Sequence, residues 1–111
     1  MSDDQDRQLS PRVNSAQLAN YLGKNVRLAC KVLNIDVTQI VVEASDGGQV
    51  NVQIQSHSEI DDTYIEVVGK VQTPDTIRAL ACIGMGSDLD MKLVNDTIIL
   101  THDPRFKTMF S

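Results

Sequence analysis

The chain has 111 residues, 41% of them hydrophobic, with a net charge of −5 and a pI of about 4.7. That is room for one small domain with short extensions, burying roughly two-thirds of its unfolded surface. It excludes a membrane-spanning helix, because no run of 18 apolar residues occurs. It also argues against an autonomous nucleic-acid binder of the usual basic kind, whose domain pI exceeds about 9.

Residues 1–10 are charged and short of apolar side chains, which predicts a disordered acidic N-terminus and the opposite of a signal peptide. A cytosolic or nuclear protein is expected. PRVNSAQLANYLGK follows. Asn14 can cap a short helix, Ala16, Leu18, Ala19 and Leu22 form its apolar stripe, and Gly23 can end it.

The period then changes from helical to alternating. Val26, Leu28, Cys30 and Val32 fall on one face, and Arg27 and Lys31 on the other, as in a half-buried strand. Ile40, Val42 and Ala44 repeat the pattern. Ser45-Asp46-Gly47-Gly48 makes a tight hairpin, because Asp and Gly tolerate positive φ. Val50, Val52 and Ile54 then alternate with Asn51, Gln53 and Gln55. SHSEIDD at 56–62 is a connector. A fourth strand runs from Thr63 to Gln72, with Ile65, Val67 and Val71 inward and Tyr64, Glu66 and Lys70 outward. Gly69 interrupts the inward row, which suits a bulge in a small barrel. Thr73-Pro74-Asp75 is a turn. Ile77 to Met85 is a fifth strand, apolar on both faces and therefore expected to be covered on both sides. Five short strands with a central hairpin predict an all-β, five-stranded barrel over residues 11–87, with an OB-fold favoured over an SH3-like or Sm-like barrel.

Residues 88–111 are expected to form a C-terminal oligomerisation helix and tail. Asp88 and Asp90 suit the start of a helix, and the Asn95-Asp96 pair sits poorly in a strand, although Thr97-Ile98-Ile99 leans toward one. At about 100° per residue the segment shows two apolar stripes. Leu89, Leu93 and Leu100 make one. Met91, Val94 and Ile98 make the other, edged by Asn95 and His102 and widened by Ile99. A small barrel covers one side of a helix, so the spare stripe needs another chain. The competing reading is a sixth strand over residues 94–101.

The order of these features resembles the smallest-subunit family of replication protein A, the eukaryotic heterotrimeric single-strand DNA-binding factor. The resemblance spans about residues 11–106 and is carried chiefly by IEVVGKV at 65–71 and by a DxxLxND helix (Asp90, Leu93, Asn95, Asp96) running into His102-Asp103. It implies an OB-fold whose C-terminal helix joins helices of the large and middle subunits in a three-helix bundle. Carried onto this chain, the bundle positions are Met91, Val94, Asn95, Ile98 and Ile99, with His102 and Phe106 near the end. Ile98→Glu is then expected to abolish assembly and leave the barrel folded. The same resemblance implies a nuclear protein acting in DNA replication, repair and recombination.

Direct DNA contact is expected to be weak or negligible. The outward face of the third strand carries Gln49, Asn51, Gln53 and Gln55, and no ring on which a base could stack. Arg27, Lys31, Lys70 and Arg78 are the candidate weak DNA contacts, if their strands bring them together. No enzyme and no cofactor are expected. His57 and His102 are lone, no nucleotide-binding or metalloprotease motif occurs, and Asp61-Asp62 and Asp88/Asp90 lack a third ligand at a metal-binding spacing. Cys30 and Cys82 sit in apolar runs and read as free core thiols. Two alternatives stand beside the assembly subunit: an autonomous single-strand-binding module, and a small barrel that homo-oligomerises through its tail.

Overall fold

The computed structural model describes residues 10–55 and 60–105. The acidic N-terminus, the connector around His57 and Phe106 lie outside the described residues. Five strands, β1 (Asn25–Ile35), β2 (Gln39–Ala44), β3 (Gln49–Gln53), β4 (Tyr64–Thr73) and β5 (Thr76–Gly84), close into a barrel in the order β1-β2-β3-β5-β4. A 3-10 helix (Ser15–Tyr21) precedes the barrel and one α-helix, α1 (Met91–His102), follows it. This is the OB-fold architecture, and the sixth-strand reading of the tail does not hold.

The alternation seen in the sequence is the physical cause of the barrel. Ile40 lies opposite Val52 and Val42 opposite Val50 across β2 and β3, and all four are buried. Val26, Leu28 and Cys30 of β1 join Ile65, Val67 and Val71 of β4 and Ile77 of β5 in the same core. A short parallel pairing of β3 with β5, Val52 beside Ile77, closes the ring. Closure leaves no long exposed sheet edge. The β2–β3 turn places Gly47 at φ 89°. A bulge falls between Val68 and Gly69, at the glycine that interrupts the inward row.

Asn14 caps the N-terminal helix as expected. Its side chain accepts from the Gln17 N–H at 3.2 Å, and its own N–H donates to Gln17 Oε1 at 3.1 Å, a reciprocal capping box. The helix is 3-10 rather than α. Seven residues are pinned at both ends, by this box and by the Gly23 N–H donating to the Val71 carbonyl at 2.8 Å, which favours the tighter winding.

Two outward positions depart from expectation. Glu66 points outward yet is 6% exposed. Residues 11–13 run alongside β1, with the Val13 N–H donating to the Arg27 carbonyl, and Arg12 Nε lies 3.2 Å from Glu66 Oε2. The outer face of β5, expected to be covered, is not covered among the described residues: Leu80 is 63% and Ile83 49% exposed. An apolar run shows that a face is apolar; it does not supply the layer that would cover it.

Asp46 ties the β2–β3 turn to the 3-10 helix. Ser15 Oγ donates to its two carboxylate oxygens at 2.8 and 2.9 Å, and the Ala16 N–H donates at 3.0 Å. Partial burial pushes this carboxyl up, but the hydrogen bonds from Ser15, Ala16 and Gly48 outweigh it and hold the group below its usual value. A depressed folded pKa stabilises the fold at pH values above the unfolded value of about 3.9. That contribution is lost as pH falls through the folded pKa. Asp46→Ala is expected to cost about 0.5–2 kcal/mol at neutral pH, as loss of a helix cap does. The variant should also lose part of the acid-dependent fall in melting temperature seen in the parent. Thermal melts from pH 7 to about pH 2 check both effects.

Candidate subunit interface and cationic cleft

α1 begins where its acids predict. Asp90 is the N-cap, its carboxylate accepting from the Leu93 N–H at 3.0 Å. Pro104 follows the C-terminal end. The β-branched run within it is accommodated because Thr97 Oγ1 donates to the Leu93 carbonyl at 2.9 Å and Thr101 Oγ1 to the Ile98 carbonyl at 2.8 Å. Packing overrides the weak intrinsic propensity of these residues.

Three side chains on one side of α1 hold it to the barrel. Asn95 Oδ1 accepts from Asn14 Nδ2 at 3.0 Å and from Ser45 Oγ at 3.3 Å, so it bridges the 3-10 helix cap and the hairpin. Ile98, one turn on, is 2% exposed. His102, a further turn on, sets Nε2 2.9 Å from the Arg12 carbonyl. A carbonyl only accepts, so Nε2 carries a proton and donates. The imidazole and the Tyr21 ring meet in a T-shaped arrangement, with centroids 6.0 Å apart at 73°.

This rotation turns the two stripes the other way round from expectation. Of the sequence-predicted interface positions, Asn95, Ile98 and His102 face the barrel, and Met91 and Val94 are half-buried. Ile99 alone among the described ones is well exposed, at 51%. The free stripe is instead Leu93 and Leu100, exposed 62% and 45%, with the half-buried Leu89 at its start. The deciding signal was polar. An amide and an imidazole on one helix face must find hydrogen-bond partners, and the barrel end supplies them.

The four candidate basic residues do not form one stripe. Arg27 lies opposite Val68, and Lys31 lies opposite Tyr64 toward the other end of the β1–β4 pairing. Lys70 and Arg78 are brought together as direct cross-strand partners on β4 and β5, with Asn25 opposite Lys70 on the other side. An open cleft of about 430 Å³ lies over this pair, lined also by Gln55, Gln72, Ala79 and Leu80. Nothing in the sequence marked Asn25, Gln72 or Leu80, because their meeting depends on the order of barrel closure. The outer face of β3 is as amide-rich as expected, with Gln39 Nε2 3.5 Å from Asn51 Oδ1.

Cys30 and Cys82 are free thiols. Burial pushes both up, that of Cys30 being reinforced by Cys82 and Glu66, so both stay protonated and unreactive at neutral pH. Among the described residues no three His, Cys, Asp or Glu side chains group to hold a metal ion.

The model of one protein family, Replication factor A protein 3, matches residues 3–110. The chain belongs to that family. An Arabidopsis thaliana relative, a 14 kDa subunit of replication protein A, is 31% identical over 98 residues, covering 88% of this chain and 91% of the relative. A chain from the structure of U. maydis replication protein A bound to ssDNA superposes with a TM-score of 0.84 at 28% identity. That match covers 92% of this chain and 95% of the other. A chain of the S. pombe Stn1-ten1 complex matches with a TM-score of 0.66 and 9% identity over 81% of this chain and 89% of its own, a likeness of fold alone.

Proposed function

We propose that this chain is the assembly subunit of a replication protein A heterotrimer, holding together the large and middle subunits that bind single-stranded DNA in the nucleus during replication, repair and recombination. The observation that carries this reading is the apolar stripe of Leu93 and Leu100, left exposed on a helix whose opposite face is already docked. The family and the likeness to a chain of a replication protein A–ssDNA structure support it. We infer that the seam runs along Leu93 and Leu100, with Leu89 at its start and the exposed Ile99 on its flank. Single-stranded DNA is held mainly by the partners.

The mechanism is mass action on a preformed element. The barrel end presents α1 in a fixed orientation, so little ordering entropy is lost when two further helices pack against it. Each partner that binds the docked helix stabilises it in turn. The test is affinity capture from nuclear extract with the full chain and with a chain ending at Ser87. The full chain is expected to bring down two larger DNA-binding subunits, and the shortened chain, checked by its thermal melt, to lose both. Equal capture by both chains would place the interface on the barrel and overturn the assignment to α1.

A further inference from the structure

We propose that residues 11–14 form a strap that sets the orientation of α1, and that Glu66 on β4 is the positioning residue that anchors this strap from outside the helix. The assembly reading enters only in the consequence, since the orientation of α1 fixes where its free stripe points.

Glu66 is the one buried charged side chain among the described residues, 6% exposed on the outer face of the barrel. Burying a carboxylate is costly unless a partner takes the charge. The partner is Arg12, whose Nε donates to Oε2 at 3.2 Å. Ala29 is the β1 residue directly opposite Glu66. Its small methyl leaves room for the Arg12 side chain to reach across β1 to β4.

The strap's backbone has two edges. The Arg27 N–H donates to the Pro11 carbonyl at 2.8 Å, and the Val13 N–H donates to the Arg27 carbonyl at 2.9 Å. Successive carbonyls of extended backbone point to opposite sides, so the carbonyl of Arg12 is turned away from β1. On that side it accepts from His102 Nε2 at 2.9 Å. Two residues on, Asn14 Nδ2 donates to Asn95 Oδ1 at 3.0 Å. The strap therefore grips α1 at Asn95 and at His102, about two turns apart.

These grips matter because the apolar hold is thin. Ile98 is the one buried side chain of this 12-residue helix, and a helix of that length is marginal in water without packing. A single apolar contact lets a helix swivel. Tethers on both sides of it fix the direction in which Leu93 and Leu100 face. Arg12 joins the parts, because its guanidinium is held by β4 and its carbonyl holds α1.

Hydrogen exchange of the full chain, followed amide by amide by NMR, tests this relay. Glu66→Gln keeps the shape and removes the charge. It is expected to speed exchange of the α1 amides by about threefold to tenfold, the range of a modest coupling, and to leave those of β2 and β3 unchanged. His102→Ala should speed the same α1 amides, and His102→Gln, which keeps an N–H donor, should restore most of their protection. Glu66→Gln should add nothing in a chain that already carries His102→Ala, because the relay is then cut. Coupling is mutual, so assembly with the larger subunits should slow exchange of the Val13 amide, which bonds the strap to β1, by about threefold or more.

Exchange of α1 at the parent rate in Glu66→Gln would overturn the proposal. So would equal acceleration in β2 and β3, which would make Glu66 a stabiliser of the whole barrel. Additive effects of Glu66→Gln and His102→Ala would also sink the relay, and a Val13 amide unmoved by assembly would break its link to the partners. If Glu66→Gln folds poorly, Arg12→Met combined with Glu66→Met removes the same tie and leaves no buried charge unpaired. The measurements on the isolated chain need no partner, so they decide the strap's role even if capture of the larger subunits fails. Failure of the strap likewise leaves the stripe of Leu93 and Leu100 as the assembly seam.

Discussion

Replacing Leu93 and Leu100 together by glutamate should leave the barrel folded and end assembly with the larger subunits. Both side chains are exposed in the isolated chain, at 62% and 45%, and neither belongs to the buried core of the barrel. In a helix bundle each leucine would lose the roughly half of its surface still exposed, a gain of about 1–1.5 kcal/mol apiece. Losing both costs about 2–3 kcal/mol, or roughly thirtyfold to a hundredfold in Kd, before the penalty of burying two unpaired carboxylates. Size-exclusion chromatography with light scattering on the co-expressed subunits reads the loss, and a thermal melt of the chain alone should stay within a few degrees of the parent. Ile98→Glu gives the contrast. Ile98 is 2% exposed beneath α1, so a carboxylate there should pull the helix off the barrel and lower the melting temperature as well as assembly. If Leu93→Glu/Leu100→Glu assembles normally and Ile98→Glu alone breaks the complex without lowering the melt, the seam is the Met91-Val94-Ile98 stripe.

Gly69→Ala should destabilise the barrel more than any other single-methyl addition at a glycine in a described strand. Gly69 lies in the β4 bulge opposite Ala79. A Cβ there would collide with the Arg78 carbonyl oxygen and with Ile77 Cγ2. The carbonyl belongs to the paired backbone of β5 and cannot swing aside as a side-chain tip can. Overpacking of this kind costs about 1–3 kcal/mol. In a domain of this size that lowers the melting temperature by about 5–20 °C. Gly47→Ala is the control. Gly47 has φ 89° and nothing within 4 Å of its added carbon, so its cost is conformational alone, roughly 1–2 kcal/mol. Circular-dichroism melts of the two variants compare them. A Gly69→Ala melt no lower than that of Gly47→Ala would show that β4 and β5 separate easily at the bulge.

The sequence by itself determined the local elements of this protein. Alternation of Val, Ile and Leu with polar residues marked four strands, because a half-buried strand repeats every two residues, and an apolar run marked the fifth. Asp46-Gly47-Gly48 marked the hairpin, and Asn14 and Asp90 marked the two helix starts, because each acts through its own neighbours in the chain. The family was legible too, since IEVVGKV and the Asp90–Asp103 segment are themselves linear signals. Tertiary structure decided what depends on residues distant in sequence. Both stripes of α1 have helical period, and periodicity cannot rank them. Asn14, Ser45, Arg12 and Tyr21, some 50 to 90 residues away, supply the partners that turn Asn95 and His102 inward and leave Leu93 and Leu100 free. Glu66 is buried by Arg12, 54 positions upstream. Lys70 and Arg78 form a pair, while Arg27 and Lys31 do not, because β4 pairs with β5 in one register and with β1 in another. A strand's own residues encode which of its faces is apolar. Which neighbour meets that face is fixed only when the barrel closes.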